Sequence, residues 1–290
     1  MATNTPFGQR LGLVLEGGAM RGIYTAGVLD VFLEAGIMPD VVVGGSAGAL
    51  HGCSYVAGQK GRSIRYYRKY RNDKHFMGLY SLLTTGDVVG TKFCYEDIPL
   101  RLDPFNEAAF EKAPVDFYVT VTNVRTGKPE YILCDELKVG SKMDVIRAGA
   151  SMPLCSKMVE WNGNLYLDGG VSDSIPYAKM KDFGCRKSIV VLTQPAGYLK
   201  QPAAMAPFEA MYRKYPAFVE AMRGRDQMYN TEVCAVEQAA KQGDVFLIRP
   251  SKLLHVGRME HDIEVLNAQY ELGRQDARNQ MDAMREWMER

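Results

Sequence analysis

With four histidines in 290 residues, histidine-based chemistry has few places to sit, and the six cysteines (Cys53, Cys94, Cys134, Cys155, Cys185, Cys234) include no Cys-x-x-Cys pair. Scattered thiols of this kind exclude a zinc-ligand pattern and a disulfide framework, and they fit a reducing compartment. No metal and no cofactor is expected. No apolar run approaches the ~20 residues that span a bilayer, and the run at 11–15 is too short for the apolar core of a signal peptide. The expectation is a cytoplasmic protein whose contact with a membrane is at most peripheral. Charge of one sign is missing too: a formal net charge of +1 gives no electrostatic basis for binding nucleic acid or acidic membranes. No repeat or low-complexity segment interrupts the chain.

What is present is an ordinary globular composition, long enough to bury a large core in one domain or two. Residues 11–15 read as a buried strand closing in the turn Glu16-Gly17-Gly18. Ile23, Ala26, Val28, Leu29, Phe32 and Leu33 then share one helical face, with Gly36 as the C-cap. Val41-Val42-Val43 is a second strand, followed by a helix over 47–57 and a basic, tyrosine-rich helix near 63–71. Residues 78–99 read as loop with short elements. Residues 115–124 and 130–133 pair across Arg125-Thr126-Gly127-Lys128, and 143–150 form a short helix. Asn162-Gly163, between strands at 157–161 and 164–167, is the strongest hairpin signal. A helix at 177–182 and a buried strand at 188–192 follow. This alternation predicts an α/β fold, a mainly parallel sheet with helices on both faces. Pro195, Pro202 and Pro207 mark a connection, so a soft boundary near 195–205 separates residues 1–199 from an extension, 200–290. That extension reads as mostly helical, methionine-rich over about 207–240, with a strand at 245–248 and a long amphipathic helix at 260–287.

Three glycine turns carry the chemistry. Gly44-Gly45-Ser46-Ala47-Gly48, between a strand and a helix, has the form of a nucleophile elbow, a sharp turn that presents a serine hydroxyl. By itself the pattern arises by chance in roughly one such chain in ten at common glycine usage. The earlier turn, Glu16-Gly17-Gly18-Ala19-Met20-Arg21-Gly22, opens a helix and aims backbone N–H groups and the helix dipole at a negative charge. It suits a phosphate cradle or an oxyanion hole. A Gly-Lys-Ser/Thr ending is missing and Ala19 breaks the G-x-G-x-x-G pattern, which disfavours the cradle; the neighbouring strand that ends at Ser46 favours the hole. The third turn, Asp168-Gly169-Gly170, is either a plain Asp-Gly turn or the source of a base for Ser46.

No histidine competes well for that role. His51 lies on the helix after Ser46 and points away from it, His75 follows a basic run, and His261 is on the polar side of the last helix. His255 follows the strand at 245–248, so Ser46, Asp168 and His255 stand in the chain order of an α/β-hydrolase triad. Against that fold, a single strand–helix unit precedes Ser46 and no HGGG-type motif occurs.

Gly17-Gly18-Ala19-Met20-Arg21-Gly22, Gly44-Gly45-Ser46-Ala47-Gly48 and Asp168-Gly169-Gly170 resemble the three ordered motifs of the patatin-like phospholipases. Ala150-Ser151 with Pro153, and Ile175-Pro176, agree with the same pattern, which covers roughly residues 11–195. The resemblance implies a three-layer patatin-like fold and a lipid acyl hydrolase of phospholipase A or lysophospholipase type. It implies Ser46 as nucleophile, Asp168 as proton acceptor, and an oxyanion hole from the N–H groups around Gly17, Gly18 and Ala19. Two residues depart from the family pattern. Ala19 replaces a glycine, which suits its Cβ only at negative φ, and Ser174 stands where asparagine is common.

Other residues admit two readings each. Arg21 fits an anionic group on a substrate, or a surface or internal ion pair. Met205, Met211, Met222 and Met228 fit core better than an acyl pocket, being at helical spacing. Arg62, Arg65, Arg68, Lys69 and Arg71 read as a solvated face rather than a headgroup site. Cys155 reads as a buried thiol. Two further functional readings stand beside the dyad hydrolase: an esterase using Ser46, Asp168 and His255, and a non-catalytic lipid-binding or regulatory protein on the same scaffold.

Overall fold

Strands covered on both faces have no polar side to show, and the valine and leucine runs of this chain become such strands. A computed structural model describes residues 6–290. Within them one eight-stranded sheet comprises β1 (Arg10–Leu15), β2 (Val41–Gly45), β3 (Asp116–Asn123), β4 (Pro129–Leu133), β5 (Val159–Trp161), β6 (Asn164–Asp168), β7 (Cys185–Val191) and β8 (Val245–Ile248). The spatial order is β5-β6-β3-β2-β1-β7-β8, with β4 on β3. β1, β2, β3, β7 and β8 run parallel; β4 and β6 run antiparallel to β3, and β5 antiparallel to β6. Leu13, Leu15, Val42 and Val43 are fully buried.

The first helices are α1 (Ile23–Ala35), α2 (Ala47–Val56), α3 (Arg62–Tyr70), α4 (Leu79–Thr85), α5 (Glu107–Lys112) and α6 (Met143–Gly149). The C-terminal region adds α7 (Ala206–Met211), α8 (Pro216–Arg223), α9 (Arg225–Gln242) and α10 (Ile263–Glu289). Because side chains alternate across a strand, Leu13 and Leu15 pack on one face with Tyr24 and Phe32 of α1 and Leu272 of α10. Val14 packs on the other with Tyr229, Val236 and Ala239 of α9. The result is three layers, helices on each side of a mostly parallel sheet.

Residues 200–290 complete these layers. β8 extends the sheet beyond β7. α10 lies along α1, joined by Tyr24 Oη donating to Asp276 at 3.0 Å and Tyr270 Oη donating to Asp30 at 2.6 Å. The segment 78–99, expected as loop with short elements, holds two helical ones. Gly78 and Gly86 bracket α4 as its caps, and Phe93–Leu102 forms a π-helix that holds Pro99 inside it. The glycines there delimit helical structure, and Pro99 is carried within it. The helix expected at 177–182 shrinks to a 3-10 turn, Ala178–Lys181.

The solvated basic face expected on α3 holds for Arg65, Arg68 and Lys69, which are exposed, but not for Arg62 and Arg71. Tyr66, Tyr67 and Tyr70 are buried, and so are Arg62 and Arg71. Arg62 donates to Ser54 Oγ and the Asp103 carbonyl, while Arg71 donates to the carbonyls of Met259 and Glu260. Of the methionines, Met222 is core, but Met211 is 60% exposed.

Candidate active site

The register of β3 decides which side chains meet. Gly45, at the end of β2, pairs with Thr120, and Asp168, at the end of β6, pairs with the next residue, Val121. Val121 and Thr122 also pair with β4. A strand has two edges, so β4 takes one and β6 continues the other from where β2 stops. Ser46 and Asp168, far apart in the chain, therefore leave the same edge side by side.

Ser46 has φ 51° and ψ −126°, a conformation that non-glycine residues rarely adopt and that marks a strained turn at the head of α2. Its own N–H donates to the Gly149 carbonyl at 3.1 Å. The glycines around it permit close backbone approach: a Cβ on Gly48 would lie 2.3 Å from the Leu15 carbonyl oxygen, and one on Gly17 would lie 2.8 Å from the Ser46 Cβ. The turn after β1 thus presses directly on the serine. Among the described residues, the N–H groups of Gly17, Gly18 and Ala19 have no hydrogen-bond acceptor in the protein, and these residues line the same cavity as Ser46. Ala19 has φ 50°, against the expectation of a negative value. The 3-10 turn Ala19–Gly22 starts at this residue, and Arg21 N–H donates to the Gly18 carbonyl at 3.0 Å.

Asp168 is held on every side. Its N–H donates to the Ser151 carbonyl at 2.9 Å, its carbonyl accepts from Thr122 Oγ1 at 2.8 Å, and its Oδ1 accepts from the Gly170 N–H at 2.8 Å. The Gly170 carbonyl in turn accepts from Ser174 Oγ at 2.9 Å and Arg225 Nε at 2.5 Å, so Ser174 does stabilise the turn. Burial raises the Asp168 pKa above the ordinary carboxylate range, opposed by the Ser46 hydroxyl, the Arg225 charge and the Gly170 N–H. The Ser46 hydroxyl is thus close enough to act on the carboxyl as a hydrogen-bonding neighbour.

Ser46 and Ala19 lie where two cavities meet. One, of about 100 Å³, is lined chiefly by apolar side chains that include Leu50, Phe76, Met77, Ile98 and Ile146. The other, of about 220 Å³, is lined by polar groups such as Asp168, Arg21 and Tyr229 and by apolar ones such as Met152, Phe208 and Met222. Arg21 thus faces the site. His255 is exposed and lines neither cavity. His51 is buried, pairs with Ser63 Oγ at 3.1 Å, and has its pKa driven down to about 3 by burial. His75 pairs with Asp73, and His261 is exposed. Among the described residues no group of three or more His, Cys, Asp or Glu is placed to hold a metal ion.

Sequence reasoning missed Glu16, Lys200, Arg225, Tyr229 and Arg258, which line the wider cavity. Glu16 is buried and accepts from the Thr193 N–H at 2.5 Å and Tyr229 Oη at 2.9 Å. Burial raises its pKa against those hydrogen bonds. The available signal was the helical spacing of Arg225, Tyr229 and Glu232, which puts polar groups on one face of α9.

The family model described as Patatin-like phospholipase matches residues 13–180, more than half of the chain. The chain belongs to this family. A model described as a domain of unknown function (DUF6363) matches residues 215–289. The chain is 28% identical to the uncharacterized protein YjjU of Escherichia coli over 273 residues, 91% of this chain and 75% of that one. It is 30% identical to Lysophospholipase nte1 of Aspergillus terreus over 182 residues and to Lysophospholipase NTE1 of Saccharomyces cerevisiae over 190 residues. Those alignments cover 61% and 63% of this chain but only 11% of each fungal protein. Among solved structures, VipD from Legionella pneumophila aligns with a TM-score of 0.48 and 13% identity, over 96% of this chain and 67% of that one. No helix among the described residues is long and apolar enough to cross a membrane.

Proposed function

We propose that this protein is a lipid acyl hydrolase in which Ser46 is the nucleophile and Asp168 its general base. The observation that carries this reading is the convergence of Ser46, Asp168 and three unengaged N–H groups where an apolar cavity meets a wider one of mixed lining. Asp168 accepts the hydroxyl proton as Ser46 Oγ bonds to the ester carbonyl carbon. Negative charge then develops on the carbonyl oxygen, where the N–H groups of Gly17, Gly18 and Ala19 receive it; one such donor is typically worth roughly 10²–10³ in rate. The ester C–O bond breaks, and Asp168 passes its proton to the departing alcohol. A water molecule next gives a proton to Asp168 and attacks the acyl-enzyme, releasing the fatty acid and restoring the serine. A carboxylate is a weak base for a hydroxyl, and the raised pKa of buried Asp168 narrows the mismatch.

The apolar cavity takes the acyl chain. The lysophospholipase names of the fungal relatives support a phospholipid-derived substrate. Contact with a lipid aggregate is assigned to α4, whose Leu79 and Leu83 are 70% and 76% exposed. This helix directly follows Phe76 and Met77 of the apolar cavity, and exposed apolar side chains in such a cluster mark interaction surfaces.

A fluorophosphonate probe and a chromogenic short-chain ester test the mechanism. Wild type should be labelled and active, Ser46→Ala neither, and Asp168→Asn nearly inactive, while His255→Ala keeps its turnover. Near-wild-type turnover by folded Ser46→Ala refutes the reading.

A further inference from the structure

Four cationic side chains, Arg21, Lys200, Arg225 and Arg258, line the wider cavity beside Ser46. None of them forms an ion pair among the described residues. Elsewhere Arg10 pairs with Asp116 and Arg62 with Asp103, and buried Arg71 is satisfied by the carbonyls of Met259 and Glu260. Arg21 Nε is buried without a hydrogen-bond partner. Lys200 Nζ rests 4.2 Å from the centre of the Tyr229 ring. Arg225 spends its Nε on the Gly170 carbonyl and leaves the rest of its guanidinium free. Burial and the neighbouring Arg225 push the Lys200 pKa down to about 8, against the opposing pull of Glu16. Arg21, Lys200 and Arg225 are half-buried and Arg258 is exposed, and cations facing one space are stabilised when an anion fills it.

Position says which part of a substrate the anion belongs to. The acyl chain occupies the apolar cavity on one side of Ser46, and the leaving alcohol must then point into the cationic one. The carboxylates there offer nothing to an ammonium group: Glu16 is buried and engaged by Thr193 and Tyr229, and Asp168 serves the serine.

We infer that Lys200, Arg225 and Arg258, contributed by the C-terminal region, join Arg21 in a subsite for the phosphate of the leaving alcohol, so that the preferred substrates are acyl esters of phosphate-bearing alcohols without an ammonium group. The inference rests on the acyl-hydrolase reading and gives residues 200–290 a role in substrate choice. Lys200 and Arg258 are specificity-determining residues, acting on the headgroup and not on the reacting carbonyl.

The test compares micellar monoacylglycerol phosphate, monoacylglycerophosphocholine and monoacylglycerol of one chain length in wild type, Lys200→Met and Arg258→Gln. Wild type should turn over the phosphate ester at least tenfold faster in kcat/KM than the other two. A charge-assisted hydrogen bond lost from each variant should cut that rate by about tenfold or more, mostly through KM, and by far less for monoacylglycerol. Calorimetry on the full chain should find glycerol phosphate bound more tightly than inorganic phosphate, and more weakly in Lys200→Met. Equal rates for the three lipids, or variants that lose all substrates alike, overturn the inference. Equal binding of inorganic phosphate and glycerol phosphate overturns it too, marking a free-anion site. Failure of the acyl-hydrolase reading appears separately, as absent probe labelling of Ser46 in wild type.

Discussion

Replacing Glu232 by glutamine should stabilise the protein at neutral pH and flatten its pH dependence. Glu232 projects from α9 onto the loop that follows Asp168, where one oxygen accepts from the N–H groups of Ser174 at 3.2 Å and Ile175 at 3.0 Å. Its neighbour is Asp173, which is buried and accepts from Tyr131 Oη. Two carboxyl groups in one dry place cannot both ionise cheaply. Burial, then the charge of Asp173, pushes the Glu232 pKa up to about 9, and burial raises that of Asp173 as well. The folded protein therefore keeps a proton that the unfolded chain releases above its ordinary glutamate range. More protons on the folded state means that stability falls as pH rises, from roughly 4.5 towards 9, by at most about 1.4 kcal/mol per pH unit. From pH 5 to 7 the loss approaches ~2–3 kcal/mol, a sizeable share of the ~5–15 kcal/mol that holds a typical domain. Glutamine supplies both halves of the contact without a proton: its carbonyl accepts from Ser174 and Ile175, and its amide donates to Asp173. Thermal unfolding from pH 5 to 8 should show the wild-type Tm falling more steeply than that of Glu232→Gln. The buried Asp168 and Glu16 leave a residual slope of the same sign in both. Parallel slopes, or a variant less stable at every pH, would refute the shared-proton account.

Three other outcomes follow from particular contacts. Ala19→Gly should raise stability by about 0.5–1 kcal/mol in urea unfolding, because left-handed backbone costs alanine ~1–2 kcal/mol and glycine's extra unfolded-state freedom takes part of that back; a destabilised variant contradicts it. Arg225→Gln removes a cation that lowers the Asp168 pKa, so the acid limb of the kcat/KM profile on a neutral ester should move to higher pH; an unmoved limb contradicts the coupling. Leu83→Glu should cut turnover on lipid vesicles about tenfold or more, as expected from losing a side chain worth ~1.5–3 kcal/mol when buried, and spare a soluble ester; equal losses on both would show that α4 does not meet lipid.

What was legible in the sequence was local. Val41-Val42-Val43 running into Gly44-Gly45-Ser46 announces a buried strand and a tight turn within eight residues, and no distant contact is needed to read it. Asp168-Gly169-Gly170 announces a turn equally well, but its partner depends on β3, where β6 takes over the edge that β2 leaves. That adjacency came from the family resemblance and not from any local pattern. The cations were harder still. Arg62 and Arg71 on α3 have the same sequence texture as a solvated basic face, and their partners Asp103, Met259 and Glu260 are distant in the chain. Methionines drew attention in the segment 207–240, yet the polar residues of the same helix touch the site.

Those polar residues tie the site together. Arg225, Tyr229 and Glu232 recur at helical spacing along one face of α9. Arg225 donates to the Gly170 carbonyl in the turn after Asp168, Tyr229 donates to Glu16 at the start of the Gly17-Gly18 turn, and Glu232 accepts from the backbone beyond Asp173. One helix therefore touches both turns that flank Ser46. A displacement of α9 would loosen Asp168 and the N–H groups of Gly17 and Gly18 together, and it would also carry Arg225 away from the cationic cavity. Substrate choice and the alignment of the reacting groups thus rest on the same face of the same helix, a physical reason for the patatin-like region to be followed by the particular segment that contains α9.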